Sequence, residues 1–202
     1  MKTNSIILRW ATSEDAEAVL EIYAPYIENT SISFEYEVPS MEAFRRRMEN
    51  IMSRFPYLVA VDTADSNKII GYAYANTFRE RAAYNWSSEL SIYLSSESKG
   101  KGIGRRLYTA LEYILRLQNI LSIEASITES TEENDSYITP DSINFHKAMG
   151  FSRCGTVNKC GFKFGKWYNV IYMEKFIGSH TNDPAAVKLV GQVRHLVNLQ
   201  QF

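Results

Sequence analysis

The sequence predicts one α/β domain built on a mixed, mostly antiparallel sheet of about seven strands flanked by about four helices. Three observations carry that expectation. The chain has 202 residues, 45% hydrophobic and 22% charged, which is the length and balance of a single globular domain. Period-two apolar runs and 3.6-residue apolar stripes follow one another in a fixed order: strand, two helices, three strands, helix, strand, helix, two strands. One crossover, from residues 88–94 through a long helix to residues 122–128, has the length that a parallel strand pair requires.

The elements follow from local chemistry. Residues 6–10 read as the first strand. Thr12 and Asp15 form a variant capping box, and Ala16, Val19, Leu20, Tyr23 and Ile27 continue at helical spacing. Residues 29–39 lack a helical period and read as an extended loop carrying Thr30, Phe34 and Tyr36. Ser40 caps a second helix with Phe44, Met48, Ile51 and Met52 on one face. Residues 57–61 and 69–75 flank a polar turn and predict a hairpin. In residues 88–94, Leu90, Ile92 and Leu94 alternate; a glycine loop then leads into a helix faced by Ile103, Leu107, Ala110, Leu111, Ile114 and Leu117. Residues 122–128 form the next strand, 129–135 an acidic insertion, and 142–149 a short helix closed by Gly150 in the left-handed conformation. Residues 151–157 and 167–176 are the closing strands, joined by a basic connector containing Gly161, Lys163, Gly165 and Lys166. Residues 1–177 are expected to form the domain. Residues 178–202 are read as a linker and a short amphipathic helix bearing Val187, Val190, Val193, Leu196 and Val197.

Composition excludes several classes. Lys and Arg number 22 against 23 Asp and Glu, a net charge of -1, with no basic stripe of the kind a nucleic-acid binder carries. No apolar run approaches the ~20 residues of a membrane helix, and the N-terminus has no apolar signal region. Cys154 and Cys160 are therefore expected as reduced, structural thiols in a cytoplasmic protein. His180 and His195 lie in the tail, and no His/Cys group has ligand spacing, so no metal is expected.

The strongest local signal is Lys99-Gly100-Lys101-Gly102-Ile103-Gly104, between a strand and a helix, with Arg105 and Arg106 next. Glycines admit a ligand close to the backbone, and a helix start offers unpaired N–H groups. The loop reads as an anion site, for a pyrophosphate, or as a solvated turn. It lacks the G-x-x-x-x-G-K-[ST] of a P-loop, and its G-x-G-x-G is not the dinucleotide fingerprint.

These residues resemble the GNAT N-acetyltransferases, whose pyrophosphate loop is [QR]-x-x-G-x-[GA]; here it reads Lys99-x-x-Gly102-x-Gly104. Thr30 to Glu35, Gly71 to Ala75, Arg79 to Tyr84, Glu89 to Leu94, His146 to Phe151 and Gly161 to Trp167 are similar to the phosphinothricin and methionine sulfone acetyltransferase branch. Thr139 stands where that branch usually has asparagine, directly after the acidic insertion. The resemblance implies acetyl transfer from acetyl-CoA to the α-amino group of a small amino acid or analogue, in a sheet splayed at its parallel pair, with a homodimer expected.

It also implies roles. An α-ammonium must lose a proton before it attacks a thioester. Glu89, which by itself could be a solvent-facing carboxylate or a placed base, becomes the base. His146 becomes either the acid for the leaving thiolate or an orienting residue. The backbone of Ile92, Tyr93 and Leu94 is expected to bond the pantetheine arm as an added strand, and Lys99, Gly100, Lys101, Gly102, Ile103, Gly104 and Arg105 to hold the pyrophosphate. Arg79 and Arg81 are candidates for the substrate's oxyanion or for surface salt bridges. Phe34, Tyr84 and Trp167 are candidate walls or core. Two other readings are a peptide or protein N-acetyltransferase and a non-catalytic CoA-binding interaction module.

Overall fold

A computed structural model describes residues 5–202. Seven strands form one sheet: β1 (Ile6–Trp10), β2 (Tyr57–Asp62), β3 (Lys68–Thr77), β4 (Ser87–Leu94), β5 (Ser122–Ser130), β6 (Ser152–Lys163) and β7 (Lys166–Phe176). Their order is β1-β2-β3-β4-β5-β7-β6, and every neighbour pair is antiparallel except β4 and β5. The helices are α1 (Ala16–Asn29), α2 (Met41–Met52), α3 (Ile103–Leu117), α4 (Asp141–Ala148) and the single turn α5 (Val190–Val193).

The expected caps are in place. The Thr12 N–H donates to Asp15 Oδ2 at 2.8 Å, while Arg9 grips both Asp15 oxygens at 2.7 Å. The Ala43 N–H donates to Ser40 Oγ at 3.2 Å, and Gly150 has φ +88°.

Adjacent residues on β4 point to opposite faces. Tyr93 meets Tyr23 of α1, with ring centres 4.8 Å apart, whereas Ile92 reaches the first turn of α3 beside Gly104. So α1 and α2 cover one face and α3 the other. Under α1 and α2 lies a stack of Tyr57, Tyr72, Tyr74 and Tyr93. Under α3 lie its buried Leu107, Leu111 and Ile114. A fully buried side chain of this kind contributes ~1.5–3 kcal/mol.

Two stretches differ from the sequence reading. The basic connector is not a loop: Gly161, Phe162 and Lys163 pair with Tyr168, Trp167 and Lys166, so β6 runs on to a two-residue turn at Phe164 and Gly165. Both turn residues have positive φ, +50° and +74°, the pattern that matches strand twist in tight hairpins. Glycine and lysine mask strand periodicity here. The amphipathic helix expected over residues 187–197 is one α turn, Val190–Val193, followed by 3-10 turns at Arg194–Leu196 and Leu199–Gln201, and the stretch before it is a strap. Its carbonyls accept from the domain: Ala185 from Trp86 Nε1 at 2.9 Å, Ala186 from Asn119 Nδ2 at 2.7 Å, and Lys188 from Gln118 Nε2 at 2.8 Å. Val190, Val193 and Leu199 are buried, while Leu196 is exposed. β-Branched valines have modest helix propensity, and the tertiary hydrogen bonds win.

Candidate active site

The site begins where the parallel pair ends. β4 and β5 are paired only at Ser87↔Ser122, Ser88↔Ile123 and Glu89↔Glu124. Beyond that point β4 stays with β3 as far as Leu94, and β5 stays with β7 as far as Ser130. The β5-facing backbone groups of residues 90–94 therefore have no strand partner. At Leu94 a side chain supplies one: the Tyr26 hydroxyl donates to the Leu94 carbonyl at 2.7 Å and lies 3.4 Å from its N–H.

The free edge leads into a cleft of about 490 Å³ lined by Tyr26, Ile32, Ile92, Leu94, the α3 start and the α4 residues Asp141, Ser142 and Phe145. Gly102 caps α3 with φ +79°, and Gly100 has φ +74°. At both positions an L side chain would be strained. A Cβ on Gly104 would come 3.1 Å from Phe145 and 3.3 Å from Ile92, so a side chain there would press on the cleft wall. The first-turn amides of α3 lack helical acceptors and face an anion with the positive end of the dipole. These features fit a pyrophosphate at the helix start and an amide-bearing arm along β4.

Of the ten residues expected to hold that ligand, Ile92, Leu94, Lys99, Gly100, Gly102, Ile103, Gly104 and Arg105 line the cleft. Lys101 is exposed outside it, and the Tyr93 side chain belongs to the tyrosine stack on the other face. Arg106 turns away and donates to the carbonyls of Ile6 and Phe202. Tyr26, Ile32 and Phe145 went unassigned in the sequence. The one available signal was the helical register of Tyr26 beside Tyr23.

Glu89 stands at the fork, in register with Asn76 on β3 and Glu124 on β5. Its side chain lies on the face opposite Leu90, which is buried in the core. Glu124 is buried, and its Oε2 has no hydrogen-bond partner. Burial, aided by the Glu174 charge, pushes its carboxyl up to about 7 against the pull of Ser122, Ser88 and Ser87.

His146 is not brought to the cleft. It is 3% exposed, inside a box of Tyr108, Phe145 and Phe151. Its Nδ1 lies 2.7 Å from the Ser142 carbonyl, so Nδ1 carries the proton, and its Nε2 accepts from the Tyr108 hydroxyl at 3.0 Å. Burial holds its pKa below the usual histidine range, although the Ser142 carbonyl opposes this. The ring is thus neutral with both nitrogens engaged, and it fixes Ser142 at the cleft wall.

The acceptor-side candidates are scattered. Phe34 packs against Gly161, where any Cβ would overlap its ring, and lies 6.2 Å from the Tyr168 ring. Arg79 is exposed and spreads over Phe78 and Tyr172; Arg81 is exposed, and Tyr84 meets Phe78 edge-on. Trp167 is 53% exposed, on the Phe162 ring rather than in a core. The acidic insertion is pinned: Lys166 Nζ donates to Glu132 at 2.7 Å, and the Tyr137 carbonyl accepts from the Ser31 N–H at 3.1 Å. Thr139 Oγ1 donates to Asp141 at 2.8 Å, at the head of α4. Among the described residues, no group of three or more His, Cys, Asp or Glu is placed to hold a metal.

A sheet parted at its parallel pair, over a glycine-rich helix start, defines the CoA-dependent acyltransferase class of fold. Comparison with known proteins narrows it. The family model described as "Acetyltransferase (GNAT) domain" matches residues 8–172. A phosphinothricin N-acetyltransferase of Streptomyces viridochromogenes is 30% identical over 83% of this chain and 86% of its own. An L-methionine sulfoximine/L-methionine sulfone acetyltransferase of Pseudomonas paraeruginosa is 29% identical over 84% and 94%. The crystal structure of a phosphinothricin acetyltransferase from Sinorhizobium meliloti, in complex with AcCoA, superposes with a TM-score of 0.79 at 32% identity, covering 92% of this chain and 98% of that one. The chain belongs to the GNAT acetyltransferase family, and it is an acetyl-CoA-dependent N-acetyltransferase.

Proposed function

We propose that the protein acetylates the α-amino group of a small amino acid or analogue of the phosphinothricin, methionine sulfone or methionine sulfoximine type. The observation that carries this reading is Glu89 at the fork of β4 and β5, beside a free strand edge that leads to the α3 amides. The pyrophosphate lies on the amides of Gly102 to Arg105, and the pantetheine arm bonds the open edge of residues 90–94. Glu89 takes a proton from the substrate ammonium, directly or through a water. The amine nitrogen then attacks the thioester carbonyl carbon. Backbone N–H groups of β4 face the oxyanion that forms. The C–S bond breaks, the nitrogen gives up its second proton as the amide forms, and the leaving thiolate takes a proton up from solvent. His146 serves by orienting α4, and Arg79 and Arg81 take the substrate's oxyanion.

The relatives' substrates support this choice of amine. Free, exposed Cys154 and Cys160 fit a reducing, cytoplasmic compartment. Exposed Val157, Phe162 and Trp167 on the β6–β7 edge fit a homodimer, which sedimentation of the full chain tests. The deciding experiment is release of CoA thiol from acetyl-CoA with methionine sulfone, methionine sulfoximine, phosphinothricin, common amino acids, a polyamine and a short peptide. Turnover confined to the first three supports the reading. Faster turnover of the peptide overturns it in favour of a protein N-acetyltransferase.

A further inference from the structure

Lys163, near the end of β6, is 2% exposed, and among the described residues no carboxylate lies within ion-pair distance of it. Its Nζ donates to three backbone carbonyls: Ile27 at 2.6 Å, Thr30 at 2.9 Å and Ser33 at 2.6 Å. The first belongs to the last turn of α1, whose carbonyls have no helical donor, and the other two belong to the loop after it. A protonated lysine has three N–H donors, one for each carbonyl. A neutral amine has two and would leave one buried carbonyl unpaired.

The same loop touches the hairpin elsewhere. Phe34 sits on Gly161, and the Tyr36 hydroxyl donates to the Phe162 carbonyl. The insertion joins from a third side: Tyr137 stacks on Phe164 at 4.1 Å while its carbonyl holds Ser31. This loop also carries Ile32 into the cofactor cleft and Glu35 onto Arg47 at 2.7 Å.

We infer that Lys163 is a positioning residue of the acceptor side: its ammonium fixes the loop of residues 30–36 against the β6–β7 hairpin and so sets the wall that the amine substrate meets. The inference rests on the proposed acetyl transfer to a small amine. Burial lowers the Lys163 pKa, with Glu35 opposing.

The test is the split between the two Michaelis constants in Lys163→Met, with acetyl-CoA binding measured by calorimetry as a check on folding. The expected result is an amine KM raised at least about tenfold, well beyond any change in the acetyl-CoA Kd, because the loop of residues 30–36 gives the cofactor cleft only Ile32. Lys163→Arg, which keeps the charge, should recover part of the loss. An amine KM unchanged in a Lys163→Met protein that still binds acetyl-CoA overturns the inference. If Lys163→Met does not fold, Gly161→Ala decides: it presses on Phe34 in the same clamp and should give the same split, and no change in amine KM overturns the inference. Absence of turnover by the unsubstituted protein with every amine instead sinks the proposed function.

Discussion

From Leu90 to Arg105 the chain runs unbroken along a free strand edge and into a helix start, and most of the cofactor cleft's lining lies in those residues, with Tyr26, Ile32 and α4 closing it. The acceptor wall is built differently. As inferred above, it takes residues 30–36, 129–137 and 161–166, which lie far apart in sequence and meet through Lys163, Gly161, Tyr36, Tyr137 and Lys166. The first half depends on backbone amides and positive-φ glycines, which tolerate side-chain change nearby. The second depends on individual side chains seated on carbonyls. Acetyl-CoA binding should therefore be robust, and amine choice easily altered.

Four substitutions probe that division, beginning with the largest effect. Glu89→Gln strikes the fork shared by both halves. It should lower kcat by about 10²–10³ at neutral pH, less at high pH, and leave acetyl-CoA affinity alone. An unchanged kcat in the thiol-release assay would remove Glu89 from the mechanism. His146→Leu leaves the buried Tyr108 hydroxyl without an acceptor and should cost ~2–3 kcal/mol in urea unfolding. The kcat of the folded protein should stay within about twofold, since the ring does not reach the cleft. A hundredfold loss of kcat at full stability would make it the acid after all. Because burial depresses the His146 pKa, the parent should also lose stability as pH falls below the unfolded histidine's ~6.5.

Gly102→Ala places a side chain at φ +79° and should cost about 1–2 kcal/mol. Calorimetry should find weaker acetyl-CoA binding, whereas the amine KM should hold. Equal weakening of both would mean that the two halves are not separable.

Glu124→Gln gives the smallest effect. The native carboxyl titrates near 7 against an ordinary 4.5, so the protein binds the proton more tightly when folded. Ionising it costs stability progressively from pH 4.5 through 7. The variant escapes that cost, and its advantage at pH 8 should reach ~1–2 kcal/mol, fading in acid. An advantage that does not depend on pH would show that Glu124 is already ionised without cost.

The element order was legible because apolar spacing is a local record of burial. The stripe through Leu107, Leu111 and Ile114 is buried as its period implies. The cofactor loop was legible because glycine at positive φ and a helix start leave marks in contiguous sequence. The β6–β7 connector misled because Gly161 and Lys163 carry no strand signal; their place in β6 comes from pairing with β7 and from what lies beneath them. His146 was legible in part: a familiar pattern left an acid or an orienting residue open, and its burial and two partners came from Tyr108 and Ser142.

By itself the sequence determined the order of strands and helices, the caps and the glycine-lined helix start, because each leaves its mark in residues within a few positions of one another. Tertiary structure alone decided that a lysine would close α1, that a tyrosine hydroxyl would serve the open edge of β4, and that the tail would lie as a strap. Those contacts join residues 67 to 136 positions apart in the chain. Hydrogen-bond satisfaction across such distances leaves no periodic trace, since any buried donor near any orphan carbonyl lowers the free energy equally well.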